Sequence, residues 1–136
     1  MAMRIQMTID CADPGALAPF WAQALGYQVQ DPPEGFDSWP DALRAWGVPE
    51  SEWNSASAVV DPDGAGPRIF FQRVPEAKTV KNRLHLDVLV HDVEAATVQA
   101  QALGARRVGA VHQDRAGSFQ VLLDPEGNEW CVVKPA

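Results

Sequence analysis

Three residues that could carry acid–base and anion-binding chemistry alternate along one predicted strand. Arg83, His85 and Asp87 occupy every second position of RLHLDVLV, and the leucines and valine between them, beginning with Leu84, fall on the other face. An imidazole beside a carboxylate can move a proton near neutral pH, and a guanidinium can hold a ligand carboxylate. The three side chains could equally be one another's polar partners. We expect the leucine face to pack on helices and the polar face to line a cavity.

A tryptophan-rich segment offers a second candidate for binding. Residues 31–55 contain Trp39, Trp46 and Trp53 at intervals of seven, with a short helical run that Gly47 and a proline interrupt. The rings could pin this segment to a sheet edge, because large aromatic side chains dominate packing. Alternatively, at least one ring could cover a cavity, since long insertions are often functional. Such a lid would favour a flat, apolar ligand.

An internal repeat indicates which elements position these residues. AQALG occurs at 22–26 and again at 100–104, each time at the end of a helical pattern and with glycine where a left-handed terminating residue is expected. In both copies an alternating strand and then an aspartate precede the helix. In the second copy this aspartate is Asp92, which can cap the helix. In the first copy Pro19 would remove a bond from the helix interior, so we expect that helix to begin near residue 17 rather than at Asp13.

The repeat predicts an α+β fold of two β-α-β-β-β modules. After each helix comes a short strand and then two strands joined at DPDG or DPEG, whose residues favour turns. We expect one domain over 1–136, with module one at about 3–75, an insertion at 31–55, a linker at 76–82 and module two at about 83–134.

Composition excludes several classes of partner. The net charge of −7 disfavours nucleic acid, and the absence of a long apolar run disfavours a membrane span. The two cysteines form no CxxC pair, so buried thiols are the simpler interpretation. We expect a cytoplasmic protein whose partner is a small molecule.

Three segments carry a family resemblance: IDCADPGALAPFWAQALGY, IFFQRVPEAKTVKNRLHLDV and DPEGNEWCVV. Together with the paired modules, they resemble the vicinal oxygen chelate superfamily of glyoxalase I, bleomycin-resistance proteins and extradiol dioxygenases, in its glyoxalase-like branch. The resemblance implies curved mixed or antiparallel sheets around a cavity, and a homodimer. In metal-using relatives four side chains converge there, and the corresponding positions here are Gln6, Phe70, His85 and Cys131.

The resemblance makes a catalytic metal doubtful in this chain. Phe70 cannot ligate, and Gln72 could replace it only through a two-residue shift of register. Cys131 stands where relatives carry glutamate, with Glu129 on the same face, and it could be a core thiol or a zinc ligand. No cofactor is the first expectation. If zinc, nickel, manganese or iron binds, the ligands would come from Gln6, His85, Cys131 and Glu129.

Three functions remain open at this point. The first is a metal-free binding protein for a small aromatic or amphipathic molecule, as in bleomycin resistance. The second is a lyase, isomerase or dioxygenase acting on a carbonyl or enolisable substrate, with His85 and Asp87 as the catalytic residues or His85 as a metal ligand. The third is a subunit with a vestigial cavity. The candidate ligand-binding residues are Arg83, Phe70, Gln72, Trp39, Trp46 and Trp53.

Overall fold

The computed structural model describes all residues, 1–136, and contains eight strands, three α-helices and one 3-10 turn at Glu50–Glu52. The strands are β1 (Met7–Cys11), β2 (Gln28–Val29), β3 (Ala56–Val60), β4 (Ile69–Arg73), β5 (Asp87–Leu89), β6 (Arg106–Asp114), β7 (Gly117–Leu123) and β8 (Glu129–Pro135). The helices are α1 (Pro14–Leu25), α2 (Trp39–Ala45) and α3 (Val93–Leu103). No helix has the length and apolar character needed to cross a membrane.

Both modules form the same four-stranded mixed sheet, so the α+β prediction is confirmed. The chain divides into two compact units, Met1–Ala77 and Lys78–Ala136. The strand order is β1-β4-β3-β2 in the first unit and β5-β8-β7-β6 in the second. In each sheet the first and last strands of the unit run parallel, and the other neighbours run antiparallel. The repeated sequence therefore encodes a repeated sheet topology.

Helix α1 begins earlier than its proline suggested. It starts at Pro14 and retains Pro19 in its interior, so the expected start near residue 17 is wrong. The Asp13 carboxylate accepts a hydrogen bond from the amide of Ala16 at 3.1 Å, which caps the helix. Leu17, Phe20 and Trp21 are buried along the same helix. Capping and packing together outweigh the interior proline, which costs about 3 kcal/mol.

The predicted ends of the two repeated helices are confirmed. Asp92 accepts a hydrogen bond from the amide of Ala95 at 3.0 Å and caps α3. Gly26 and Gly104 end α1 and α3 with φ of 70° and 117°, a left-handed conformation that other residues adopt only with strain. The AQALG repeat thus serves as the same terminating signal in both units.

Each helix packs on one face of the sheet in its own unit. In the first unit α1 lies against β3 and β4, where Val59, Ile69 and Phe71 have no exposed surface. In the second unit α3 lies against β6, β7 and β8, where Leu122 and Trp130 are buried. The chemistry-bearing residues must therefore be sought on the opposite side, which we call the open face of each sheet.

Side-chain hydrogen bonds hold the insertion to the rest of the first unit. The amide of Gly15 donates to the Asn54 side-chain oxygen at 2.7 Å, and the Asn54 amide group donates to the Asp13 carboxylate at 2.8 Å. Near the other end, the Trp39 indole donates to the Gln30 backbone oxygen at 2.8 Å. Residues 31–55 are thus tied both to the start of α1 and to the residue following edge strand β2.

Strand β6 is interrupted by an irregularity. Its pairing with β7 shifts register between Val108 and His112. Gly109 lies within the shift and has φ of 67°, which is favourable only for glycine. The regular ladder of hydrogen bonds between β6 and β7 is consequently interrupted at this place.

Candidate functional site

Strand register establishes which residues of the two open faces are equivalent. Thr8 pairs with Phe70 across the parallel β1–β4 ladder, and Asp87 pairs with Cys131 across β5–β8. Phe70 and Cys131 therefore occupy the same place in their units, as the family resemblance implied. Gln6 lies two residues before Thr8, and His85 lies two residues before Asp87. Gln6 and His85 are therefore equivalent as well. The open faces are formed by Gln6, Thr8, Asp10, Arg68, Phe70 and Gln72 in the first unit and by His85, Asp87, Leu89, Glu129, Cys131 and Val133 in the second.

The second unit brings three potential ligands together. The Nε2 atom of His85 lies 3.2 Å from Asp87 Oδ1, and the side chains are 44% and 55% exposed. The ligand atoms of His85, Asp87 and Cys131 all lie within 4.8 Å of one another. Desolvation raises the pKa of the Cys131 thiol, and the nearby Asp87 charge adds to this, while Lys81 acts in the opposite direction. The cluster combines an accessible imidazole–carboxylate pair with a mostly buried thiol.

The residues before β5 do not follow the predicted alternation. Leu84 was expected to pack against helices, but it is 89% exposed, so that prediction is wrong. The physical reason is that pairing with β8 begins only where the Cys131 amide donates to the Leu86 oxygen at 2.9 Å. Upstream of that bond no neighbouring strand fixes the faces. Arg83 lies in the same stretch and is exposed.

In the first unit a guanidinium contacts Gln6 and Phe70, the two residues that correspond to His85 and Cys131 of the second unit. Arg68 Nη1 donates to Gln6 Oε1 at 3.0 Å, and Arg68 Nε donates to Gln30 Oε1 at 2.8 Å. The guanidinium carbon lies 5.5 Å from the centre of the Phe70 ring. The side-chain oxygen of Gln6 is therefore already bonded to a cation, and Phe70 contacts the same cation.

Gln72 lies at the end of β4 beside a carboxylate. Its amide group donates to Asp10 Oδ1 at 2.8 Å, across the register pair that joins β1 and β4. The side chain is exposed, two positions beyond Phe70 on the same face. This hydrogen bond uses an N–H group of the Gln72 side chain and leaves the Oε1 atom available to a ligand.

Glu129 is engaged by the segment that precedes β5. Oε1 lies 3.2 Å from the Lys78 ammonium, and Oε2 accepts from the Asn82 amide at 3.0 Å. Desolvation opposes ionisation of Glu129, but hydrogen bonds from the Asn82 and Glu129 amides and from Lys78 outweigh it and lower its pKa. Both carboxylate oxygens thus fasten the linker to β8.

The three tryptophans have different surroundings. Trp39 and Trp53 are half-buried, with their indole nitrogens donating to the backbone oxygens of Gln30 and Val48. Trp46 is 55% exposed and makes an edge-on contact with Phe36 at 5.8 Å. The bonded rings serve to hold the insertion, and Trp46 has the ring surface that a ligand could contact.

Arg68 is the residue that sequence reasoning missed. It precedes Phe70 by two positions, and the alternation that placed Phe70 on a cavity face would have placed Arg68 there too. Gln30 and Gln6, its partners, are 38 and 62 residues away along the chain. Only the folded sheet reveals that these residues meet.

Comparison with known proteins gives a match over most of the chain. A family model described as "Glyoxalase-like domain" matches residues 6–133. A comparison with curated proteins finds no match.

Solved structures share the fold at low sequence identity. A glyoxalase/bleomycin resistance protein/dioxygenase family enzyme from Burkholderia phytofirmans PsJN is 18% identical, with a TM-score of 0.67, 96% of this chain covered and 97% of that one. A glyoxalase family protein from Bacillus cereus is also 18% identical, with a TM-score of 0.64 and coverage of 99% and 95%. The E126Q mutant of the fosfomycin resistance protein FosX from Listeria monocytogenes, complexed with Mn(II) and 1S,2S-dihydroxypropylphosphonic acid, is 12% identical, with a TM-score of 0.65 and coverage of 98% and 90%.

Proposed function

Because the chain belongs to the glyoxalase-like domain family, whose structural relatives include resistance proteins, we propose that it binds a small aromatic or amphipathic molecule without a catalytic metal. The observation that carries this proposal is the occupation of the first unit's ligand positions. Phe70 has no ligand atom, and the Gln6 oxygen is bonded to the Arg68 guanidinium. A positive charge at that place repels a divalent cation and favours a polar or anionic group.

The open face of the second unit supports binding of an amphipathic molecule. His85 and Asp87 supply accessible polar groups. Beside Cys131 in the sheet stands Val121, and Val133 follows two residues along β8, both half-buried. Apolar surface with a few oriented polar groups is typical of small-molecule sites. In the first unit, the exposed ring of Trp46 is our choice for the aromatic contact within the insertion.

A ligand titration in the presence of a metal chelator tests this function. Tryptophan fluorescence is followed while aromatic acids and neutral polycyclic compounds are added in the presence of EDTA. We expect saturable binding, weakened about tenfold by His85→Ala through loss of one polar contact of about 1.4 kcal/mol. His91→Ala is the matched control, because His91 is exposed and follows β5 instead of preceding it. Trp46→Ala should weaken flat ligands broadly. Absence of binding by every compound would refute the proposal.

The second candidate is an enzyme, and the cluster of His85, Asp87 and Cys131 specifically favours it. Imidazole, carboxylate and thiolate are all zinc ligands, and the distance of 3.2 Å between His85 and Asp87 suits two groups on one ion. These three residues would hold the metal, and when bound it would polarise a substrate carbonyl. Without a metal, His85 oriented by Asp87 could act as a general acid or base.

Metal analysis separates the two candidates. Protein purified without added ions should contain less than stoichiometric zinc, nickel, manganese or iron if the binding function holds. Stoichiometric metal that is lost in both His85→Ala and Cys131→Ser, and kept in His91→Ala, would instead refute the metal-free function and identify this cluster as a metal site.

A further inference from the structure

We propose that Arg68 anchors the oxyanion of a small aromatic acid on the open face of the first unit. This inference rests on the proposed small-molecule function and adds the chemical class of the ligand. The site consists of the Arg68 guanidinium, the Phe70 ring beneath it and the Thr8 side chain beside that ring.

Neutral partners orient the Arg68 guanidinium without neutralising it. Its Nε and Nη1 atoms donate to side-chain oxygens of Gln30 and Gln6 at 2.8 Å and 3.0 Å. A guanidinium has five N–H groups in a fixed fork, so these two bonds leave both N–H groups of Nη2 and one of Nη1. A carboxylate or phosphonate can accept from that free end in bidentate fashion.

Arg68 lacks the carboxylate partner that a comparable arginine has. Its guanidinium makes no ion pair, although the chain has 18 acidic residues. Arg73, the last residue of β4, lies 3.6 Å from the Glu52 carboxylate. Arg68 is half-buried and oriented, and the oxyanion of a ligand would supply the counter-charge that it lacks.

The surroundings of Arg68 favour a planar acid. The half-buried Phe70 ring lies 5.5 Å from the guanidinium carbon, and its neighbour in β1 is the exposed Thr8. An aromatic body can pack on the ring while its acidic group reaches the free end of the guanidinium. An aliphatic acid would use the charge but leave the ring surface uncovered.

Arg68 could instead act only as a brace between β1, β2 and β4, so the test must separate affinity from stability. Benzoate, phenylphosphonate and neutral benzamide are titrated by calorimetry into the wild type and the Arg68→Met, Arg68→Lys and Arg73→Met variants, in EDTA. Arg73→Met removes the same charge from the last position of β4, but that position lies on the face opposite Phe70. The benzoate and phenylphosphonate arms distinguish a carboxylate from a phosphorus oxyanion.

We expect the wild type to bind at least one of the two acids about tenfold or more tightly than benzamide. Arg68→Met should remove that preference and leave benzamide affinity unchanged, and Arg73→Met should behave as the wild type does. Arg68→Lys keeps the charge but loses the fork, so it should retain only part of the preference. If Arg68→Met does not fold, the Arg68→Lys result and the NMR signal of the Arg68 Nε group in the wild type provide the test. The chemical shift of that signal should change when an acid is added and should not change with benzamide.

Equal binding of the acids and benzamide by the wild type would overturn the anion anchor and leave the proposed function standing. Retention of the acid preference in Arg68→Met would do the same. Failure of all three probes and of the polycyclic panel to bind would overturn both.

Discussion

Glu129→Gln should destabilise the protein even when no metal is available. The Glu129 carboxylate accepts the Asn82 amide at 3.0 Å and lies 3.2 Å from the Lys78 ammonium, with side chains that are 16% and 24% exposed for Glu129 and Lys78. Glutamine keeps one oxygen and presents an NH2 group to the other donor. Hydrogen bonds to charged groups contribute about 1.5–3 kcal/mol. Because these side chains are partly exposed, we expect Glu129→Gln to lower the free energy of unfolding by about 2 kcal/mol. For a domain of this size the melting temperature should fall by about 6 °C.

The pH dependence of that loss follows from the lowered pKa of Glu129. A carboxylate whose pKa is lower in the folded than in the unfolded protein stabilises the fold fully above the unfolded value of about 4.3. This contribution is lost as pH falls through the folded pKa. The difference in stability between the wild type and Glu129→Gln should therefore be largest at neutral pH. It should shrink as the pH falls below the unfolded pKa of about 4.3.

Thermal unfolding followed by circular dichroism, in EDTA between pH 3 and 7, measures this difference. Glu76→Gln is the control, because Glu76 lies in the linker region and is exposed. A Glu129→Gln melting temperature equal to that of the wild type at pH 7, or a deficit that persists unchanged at pH 3, would refute the role assigned to the carboxylate. A deficit seen only when zinc is added would identify Glu129 as a metal ligand.

Two further predictions concern the insertion and the assembly. Asn54→Ala removes the acceptor for the Gly15 amide and the donor to Asp13, so the free energy of unfolding in urea should fall by about 1–2 kcal/mol, and an unchanged midpoint would contradict the tether. We expect a homodimer, as the family resemblance implies, and sedimentation at tens of micromolar that gives a mass of 14.8 kDa would contradict it.

Local signals in the sequence were sufficient for the repeated architecture. Helix ends depend on neighbours a few residues away, so Asp92, Gly26 and Gly104 could be assigned without knowledge of the fold. The start of α1 could not be assigned in this way, because the proline penalty is local whereas burial of Leu17 and the Asn54 contact are not.

The candidate site depended more heavily on contacts that are distant in sequence. His85 and Asp87 lie 3.2 Å apart, and this contact is local because only one residue separates them in the chain. Alternation failed for Leu84, because it has meaning only where a neighbouring strand fixes the two faces. The bond between Arg68 and Gln6 follows from parallel pairing of residues 62 apart, which no local pattern contains.

The shifted register of β6 bears on how the protein avoids self-association through its sheet. With nine residues, β6 is the longest strand, and it lies at the edge of its sheet, where unpaired amides and carbonyls could recruit a strand from another molecule. The irregularity between Val108 and His112 breaks the straight row of hydrogen-bonding groups that such recruitment requires. Arg106 at one end and Asp114 at the other add charge to the same edge. The irregularity in β6 thus makes this long edge strand a poorer template for pairing with another molecule.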